Sequence, residues 1–297
     1  MKSLPLLLLL ASPALGAETA AFLDIGPGAR AIGLGGAYTA LADDSDAMYW
    51  NPAGLARMEK RSVSLSHAEL NQGNRQNYLS YAHPTSRATF GGAFTYLSYG
   101  SLTGRDAMGR PTGSYNASDA AGAIGAGVKT EWADIGGSVK LIQSHIGSAQ
   151  ASGAAFDAGV RREQAAGSGK LVLGAALRNM GPGLKYDGQR NDLPLRAAFG
   201  GAYRFAGGHA VAVELQNGPR GAGSEGGAGG EYQAMEGVFL RLGYTSKSAA
   251  ADGAGFDAAR GLTIGLGMKR GNYSIDYAAQ AAGALGATHR FTLASRF

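Results

Sequence analysis

The residues that come nearest to a nucleotide-binding motif are 122–130, which read GAIGAGVKT. A phosphate-binding loop needs a glycine directly before its lysine, whereas Val128 stands between Gly127 and Lys129. The stretch also alternates in character like a β-strand, and a phosphate loop connects a strand to a helix. Nucleotide binding is therefore not predicted.

Other residues with catalytic or metal-binding side chains lack the required spacing. The five histidines are His67, His83, His145, His209 and His289. They form no His-Glu-x-x-His motif, and no Gly-x-Ser-x-Gly motif is present. Asp43, Asp44 and Asp46 lack the spacing of a calcium loop and favour the start of a helix, and the absence of cysteine excludes disulfides and thiolate zinc sites. We predict no enzymatic activity, no metal and no cofactor.

The composition is unlike that of a water-soluble domain. Of the 297 residues, 49 are glycine and only 16% are charged, against roughly 7% and 25% in average proteins. Glycine does not recur at every third residue, which excludes collagen. After the N-terminus the chain contains no 18-residue apolar stretch, so a membrane helix is not predicted. The formal charge of +5 is too small a bias to predict binding to nucleic acid.

The first residues have the pattern of a secretory signal peptide. Lys2 precedes the leucine-rich run at 4–10, and small residues follow before Glu18. The apolar run is too short to cross a bilayer. We therefore predict a signal peptide over residues 1–17, an N-terminal segment over 18–58 and a β-barrel over 59–297.

From about residue 62 onward, alternating segments of eight to thirteen residues are separated by turn-forming residues, a spacing typical of β-hairpins. Leu262, Ile264 and Leu266, for example, alternate with Thr263 and Gly265. The predicted strands are 62–70, 77–83, 88–99, 120–132, 134–146, 151–161, 170–179, 195–205, 208–216, 226–235, 237–246, 261–270, 272–281 and 286–297. An even number of such strands with few charges predicts an all-β fold, a transmembrane antiparallel β-barrel of about 14 strands with its apolar face toward lipid.

Three long stretches between or beside these strands, 100–119, 181–194 and 218–230, are predicted as extracellular loops. Small residues on the polar face would leave room in the lumen for a plug or a ligand. These residues include Gly125, Gly127, Gly265 and Gly267.

The end of the chain carries a second location signal. Phe291, Leu293 and Phe297 share one face of the last predicted strand, opposite Arg290 and Thr292. An aromatic end at this phase resembles the terminal strand of bacterial outer-membrane proteins, which the barrel assembly machinery recognises. Together with the signal peptide, it predicts a location in the bacterial outer membrane, in contact with outer-membrane lipid.

Residues 18–58 do not alternate and contain three distinctive elements. These are ARAIGLGGA at 29–37, ADD at 42–44 and YWNPAGLA at 49–56. The combination resembles the N-terminal signature shared by long-chain fatty-acid transporters of the FadL type and by the PorV/PorQ family, and the Trp-Asn-Pro wording favours PorV/PorQ. The resemblance implies a fourteen-stranded barrel whose N-terminal segment folds into the lumen as a plug.

Within this segment, eight residues are candidates for seating the plug or contacting a ligand. They are Arg30, Gly33, Gly35, Gly36, Tyr49, Trp50, Asn51 and Pro52. The glycines permit close backbone approach, and Asn51 before Pro52 predicts a rigid corner. Asp43 or Ser45 is expected to cap a short helix that runs to Tyr49.

Two functions fit this interpretation. As the FadL resemblance implies, the barrel would pass hydrophobic small molecules passively across the outer membrane. As the PorV resemblance implies, it would instead be a non-enzymatic component of a type IX-like secretion or surface-attachment system, with secretion or cargo proteins as partners. A fatty-acid ligand would need a cation for its carboxylate. Arg30, Arg57, Lys60 and Arg61 are the candidates near the segment.

Deletion of residues 18–56 tests the predicted plug. If these residues fill the lumen, their removal leaves an open polar pore, so we expect a larger single-channel conductance in planar bilayers. A conductance equal to that of the full chain would contradict the plug.

Overall fold

A computed structural model describes residues 19–186, 188–220, 223–246, 258–283 and 286–297, so the predicted signal peptide at 1–17 lies outside the described residues. Two short α-helices are α1 (Ala29–Gly33) and α2 (Ala47–Trp50), and 3₁₀ helices are Ala21–Asp24, Pro52–Arg57, Asn71–Gly73 and Ala258–Gly261. The strands are β1 (Ser62–Glu69), β2 (Arg75–Pro84), β3 (Thr89–Arg105), β4 (Pro111–Lys129), β5 (Asp134–Ile146), β6 (Ala149–Ala166), β7 (Gly169–Met180), β8 (Leu184–Tyr186), β9 (Gln189–Asn191), β10 (Arg196–Arg204), β11 (Ala210–Gly218), β12 (Gly223–Met235), β13 (Val238–Thr245), β14 (Leu262–Arg270), β15 (Tyr273–Ala281) and β16 (Ala287–Arg296).

Fourteen of these strands form one closed antiparallel barrel. The order around the barrel follows the chain from β1 to β7 and then from β10 to β16, and β16 pairs with β1 to close it. The short strands β8 and β9 form a separate hairpin. Closure gives every barrel strand two hydrogen-bonded neighbours, so no unpaired edge faces the surroundings.

The two faces of the barrel wall differ in polarity. Large apolar side chains point outward, and Leu141, Ile124 and Leu215 are each about 70% exposed (69%, 72% and 69%). The inward positions between them carry buried charged residues such as Asp134, and Arg161 is only 1% exposed. This is the arrangement of a barrel whose outer surface meets lipid.

The alternation predicted all fourteen barrel strands, but the predicted loops at two places are wrong. β3 extends to Arg105 and β4 begins at Pro111. Residues 100–119 therefore form a long hairpin with only a tight turn between its strands. β12 starts at Gly223, so most of 218–230 is also strand. Residues 181–194 contain the β8–β9 hairpin. The extended parts of these strands pair with each other beyond the thickness of the membrane. A strand there needs no apolar outer face, so its sequence need not alternate.

The C-terminal aromatic face has the predicted orientation. Phe291, Leu293 and Phe297 are all outward and more than half exposed. Recognition of this face by the assembly machinery stays a prediction. Within the described residues, no helix is long and apolar enough to cross a membrane.

Residues 19–58 pack inside the barrel against the inward side chains. The Ala29 amide donates to Thr292 Oγ1 on β16, and the Gln76 amide group on β2 donates to the carbonyl of Ile25. On the opposite side, Arg161 on β6 donates to the carbonyl of Ala40. Apolar residues of the segment form a buried core with inward wall residues. This core includes Leu34, Tyr38, Leu41, Met48, Leu55, Tyr78 and Val172.

We call the end of the barrel where β1 begins and β16 ends the terminal end, and the opposite end the loop end. At the loop end, Phe22 and Leu23 of the first 3₁₀ helix pack with Leu184 and Leu193. The β8–β9 hairpin therefore covers part of the segment from that side.

Substituting Leu141→Arg tests the outward face. Leu141 lies at the middle of β5 and points outward, so a buried arginine there should destabilise the barrel in a bilayer by ~2–4 kcal/mol. Gln143→Arg, on the same face two residues nearer the strand end, should cost only ~0–1 kcal/mol. Urea unfolding in lipid vesicles measures both, and equal costs would contradict the assigned membrane depth.

Candidate functional site

Glycines on the inner wall allow the N-terminal segment to lie directly against the strands. We call them the inner-face glycines: Gly91, Gly127, Gly136, Gly159, Gly174, Gly200, Gly227, Gly229, Gly243 and Gly265. A Cβ atom added at Gly229 would lie 2.6 Å from Leu34 Cα, a distance that real Cβ atoms do not reach. Of the four glycines expected to leave room in the lumen, Gly127 and Gly265 face the segment, whereas Gly125 and Gly267 face neighbouring wall side chains.

Asn51 and Pro52 form the predicted rigid corner. Asn51 is extended, and its Oδ1 accepts a hydrogen bond from the amide of Ala53. This bond caps the N-terminus of the 3₁₀ helix Pro52–Arg57. Its Nδ2 donates to the carbonyl of Thr39 at 2.9 Å and to the carbonyl of Val160 on β6 at 3.2 Å. One side chain thus ties together two parts of the segment and the wall.

Arg30 is the main charged contact between the segment and the wall. Its guanidinium donates twice to Glu231 on β12, at 2.9 and 3.0 Å, and once to Asp43 at 2.8 Å. Glu231 also accepts from Arg241 on β13, which in turn pairs with Asp276 on β15 at 2.6 Å. These charges are therefore neutralised across three strands and the segment.

Asp43 takes part in the same network. It pairs with Arg30 and, at 2.9 Å, with Arg204 on β10. Burial alone would raise the pKa of Asp43, but Arg30 and Arg204 outweigh it and hold this pKa well below its usual value. Asp43 is thus an ion-pair partner, and the prediction that it caps a helix is wrong.

Asp46 has the opposite electrostatic setting. Burial, together with the neighbouring Asp44 carboxylate, raises the pKa of Asp46 to about 7, although Ser80 on β2 donates to Asp46 at 2.8 Å. Ser80 also hydrogen-bonds Ser45 at 2.8 Å. Asp46 is the N-cap residue of α2 and makes no side-chain cap, so the capping prediction for Ser45 is also wrong.

The segment separates two cavities of about 380 Å³ each. The terminal-end cavity is lined on its segment side by Arg30 and residues 43–46, and opens among the turns of the terminal end. The loop-end cavity is lined on its segment side by Gly35, Gly36, Tyr49 and Trp50. A solute that passed through the lumen would have to displace the segment between them.

Aromatic residues of α2 form one wall of the loop-end cavity. Tyr49 donates to the carbonyl of Leu23, and the Trp50 indole donates to the carbonyl of Pro27, both at 3.1 Å. Arg178 on β7 stacks over both rings, with its guanidinium carbon 5.1 Å from the Tyr49 centroid and 5.5 Å from that of Trp50. Tyr49 and Trp50 are therefore held in place and still face the cavity.

Six of the eight residues predicted from the sequence are buried, Arg30 and Gly36 are partly exposed, and the structure gives them different roles. Gly33 and Gly35 pack against inner-face glycines of the wall, and Gly36 has room beside Trp50. Asn51 and Pro52 seat the segment. None of the four candidate cations lines the loop-end cavity. Arg30 pairs with acids, Arg57 pairs with Asp134 at 2.5 Å, and Lys60 and Arg61 are exposed.

Sequence reasoning missed the wall residues that complete the network. Glu231, Arg241 and Glu214 each stand at an inward phase of an alternating strand. The strand alternation predicts this inward orientation, and a charged residue at an inward position was the available signal for a contact inside the barrel. Which acid meets which base depends on strand register and on the path of the segment, which no local pattern contains.

A family model described as "Uncharacterised protein family (UPF0164)" matches residues 14–193. The chain belongs to this family. No curated protein matches the chain. The match spans the N-terminal segment and β1 to β7, whereas Glu231, Arg241 and Asp276 of the ion-pair network lie beyond it.

Solved structures of transporters share the fold of this UPF0164 member. The toluene transporter TbuX of Ralstonia pickettii is 16% identical, with a TM-score of 0.63 over 92% of this chain and 98% of that one. The toluene transporter TodX of Pseudomonas putida is 13% identical, with a TM-score of 0.63 over 96% and 98%. A FadL homologue of Pseudomonas aeruginosa is 12% identical, with a TM-score of 0.62 over 92% and 98%. The predicted fold, a 14-stranded barrel of the FadL type, is therefore confirmed.

Gly159→Ala tests the close contact between wall and segment. The added Cβ would overlap Asn51 Oδ1, so we expect the segment to shift and the chain to lose ~1–3 kcal/mol of stability. Amide hydrogen exchange of residues 47–55 should become faster. Gly122→Ala is the matched control because nothing lies within 4 Å of its Cβ position, and equal effects of the two substitutions would refute the contact.

The raised pKa of Asp46 predicts that the segment is held more tightly at low pH. In the unfolded chain this carboxyl titrates near 3.8, whereas its folded pKa is about 7. Between these values the unfolded state loses the proton first, so stability from Asp46 falls as the pH rises from about 4 to 7 and then stays constant.

Hydrogen exchange of residues 47–50 at pH 5.5 and pH 8, corrected for intrinsic rates, measures this effect. We expect more protection at pH 5.5, and a smaller difference in Asp46→Asn, which cannot ionise. Asp44, whose pKa burial and Asp43 also raise, supplies the remainder. The same pH dependence in Asp46→Asn as in the parent would show that Asp46 is not its source.

Proposed function

We propose that this protein is an outer-membrane channel for passive uptake of hydrophobic small molecules, with residues 18–58 as its plug. The observation that carries the proposal is the pair of lumen cavities separated by a segment that the closed wall surrounds. A purely structural core would fill the lumen and leave no cavity at either end.

The shared fold with TbuX and TodX supports this function, because both are toluene transporters. The aromatic pair at 49 and 50 gives the loop-end cavity a surface to which an apolar solute binds well. Energy coupling is not needed, since a solute moves down its gradient once the segment shifts.

Hydrogen bonds and ion pairs, rather than covalent links, hold the segment. The terminal-end network of Arg30 and Asp43 is partly open to solvent, with each side chain a little over one-fifth exposed (23% and 22%). Partly exposed ion pairs contribute modestly to stability, whereas the Glu231 side chain is only 5% exposed, so we expect movement to begin on the Asp43 side of Arg30.

The predicted PorV/PorQ type and a role in a type IX-like secretion or surface-attachment system form the alternative. The Trp-Asn-Pro wording at 50–52 favours it. Mass spectrometry of the barrel purified from its native membrane in mild detergent separates the two functions. A bound hydrophobic ligand supports the channel, whereas a reproducible protein partner without ligand supports the alternative.

A disulfide lock tests whether uptake requires the segment to move. Ser45 in the segment and Ser80 on β2 have their Oγ atoms 2.8 Å apart, and the chain has no cysteine to compete. In Ser45→Cys/Ser80→Cys, oxidation should therefore join them with little distortion. We expect oxidised cells to lose uptake of labelled toluene and reduced cells to regain it.

The assay uses a bacterial host without a hydrocarbon transporter of its own, whose outer leaflet excludes apolar solutes. The single variant Ser80→Cys controls for the oxidant and should transport in both states. Full uptake in the oxidised double variant would show that solutes bypass the segment through the wall. Absence of uptake in the parent protein would refute the channel itself.

A further inference from the structure

The loop-end cavity contains a buried cation without an acidic partner. Arg290 on the inner face of β16 is only 4% exposed and lines this cavity. Its Nη1 donates to Thr288 at 3.3 Å, and its Nε has no partner. Its cross-strand neighbours on either side are alanines, Ala68 and Ala278. Among the described residues, no carboxylate forms an ion pair with it.

A second cation of the same cavity, Arg178, forms no direct ion pair among the described residues, and Gln216 links it to the Glu214 carboxylate. Arg178 is 2% exposed and lies directly across the strand pair from Arg196. Arg196 takes the nearby acid, because Asp24 accepts from it twice, at 2.9 and 2.7 Å. Arg178 is left with a hydrogen bond to Gln216 at 2.7 Å and with the aromatic rings, and its Nε has no partner.

The acids that line the cavity are already engaged. Glu214 accepts from the backbone amides of Tyr38 and Thr39 at 2.8 and 2.7 Å, and from the side chain of Gln216. Asp24 is held by Arg196, and Glu225 likewise has a partner. Burying a guanidinium group without an anion is costly, so Arg290 is suited to an anion from outside the chain.

We propose that the loop-end cavity binds a small carboxylate with an aromatic or short aliphatic body. The carboxylate would bind Arg290, for which the planar, bidentate geometry of guanidinium is well matched. The apolar body would lie against Tyr49, Trp50 and Ile32, which line the same cavity. The volume of about 380 Å³ accommodates one such molecule.

This inference rests on the proposed function, since it assigns a ligand class to one cavity of the proposed route. Within that route, it predicts that this cavity prefers an acid to a neutral ring of the same shape. A neutral ring gains the aromatic contacts but leaves the Arg290 guanidinium without an anion, so the acid should bind better than its neutral counterpart.

Isothermal titration of the full purified chain in detergent at pH 7 tests the site with benzoate. Benzamide is the matched neutral ligand, because it keeps the ring and the shape but carries no charge. We expect benzoate to bind at least tenfold more tightly than benzamide. Arg290→Gln should weaken benzoate at least tenfold with little change for benzamide, and Arg290→Lys should restore most of the affinity.

Arg75→Gln is the control for loss of one positive charge, because Arg75 lies at the same end of the barrel but on its outer face. It should bind benzoate like the parent. Circular dichroism confirms that each variant keeps its strands, and Arg290→Lys keeps the test valid if Arg290→Gln fails to fold.

Equal binding of benzoate and benzamide, or equal binding of benzoate by the parent and Arg290→Gln, would overturn the site. The proposed function has a separate readout in toluene uptake. Toluene uptake without benzoate binding would support the channel and refute the carboxylate site. Benzoate binding without uptake would keep the site and refute the channel.

Discussion

The distance between the segment backbone and the barrel wall is the constraint on which the other contacts depend. At the inner-face glycines the wall presents only backbone, so the segment can lie close to strands on several sides at once. That proximity brings Asn51 to the carbonyl of Val160 and Arg30 to Glu231. Side chains at these glycine positions would push the segment away, and both the polar contacts and the division of the lumen would be lost.

Polarity is distributed so that nearly all strong electrostatic interactions are inside the molecule. The outer face is left to apolar residues, while ion pairs such as Arg30 with Glu231 and Arg196 with Asp24 join the segment to the inner wall. This explains the low charge content, because a barrel in lipid has little outer surface on which charges are favourable. The two arginines of the loop-end cavity stand out against this background of pairing.

The sequence was sufficient for the barrel because strand alternation is a local property with a period of two. It was insufficient for the extended β3–β4 hairpin, because Arg105, Asp106, Arg110 and Pro111 in its outer part favour a loop. In the site, the Asn51–Pro52 corner was predictable from two adjacent residues. The inward phase of Arg178 and Arg290 was visible too. The lack of a paired acid at each arginine could not be predicted from the sequence, because the strand register decides which residues lie beside each arginine.

The order of the chain has a consequence for assembly. The segment precedes β1, and the barrel closes only when β16, the last strand, pairs with β1. If closure came first, a segment of about forty residues with charged side chains would have to thread into a finished ring. Biogenesis is simplest if the segment already lies in the curve of the growing sheet. The last strand then encloses it, and one pairing event both seals the wall and traps its contents.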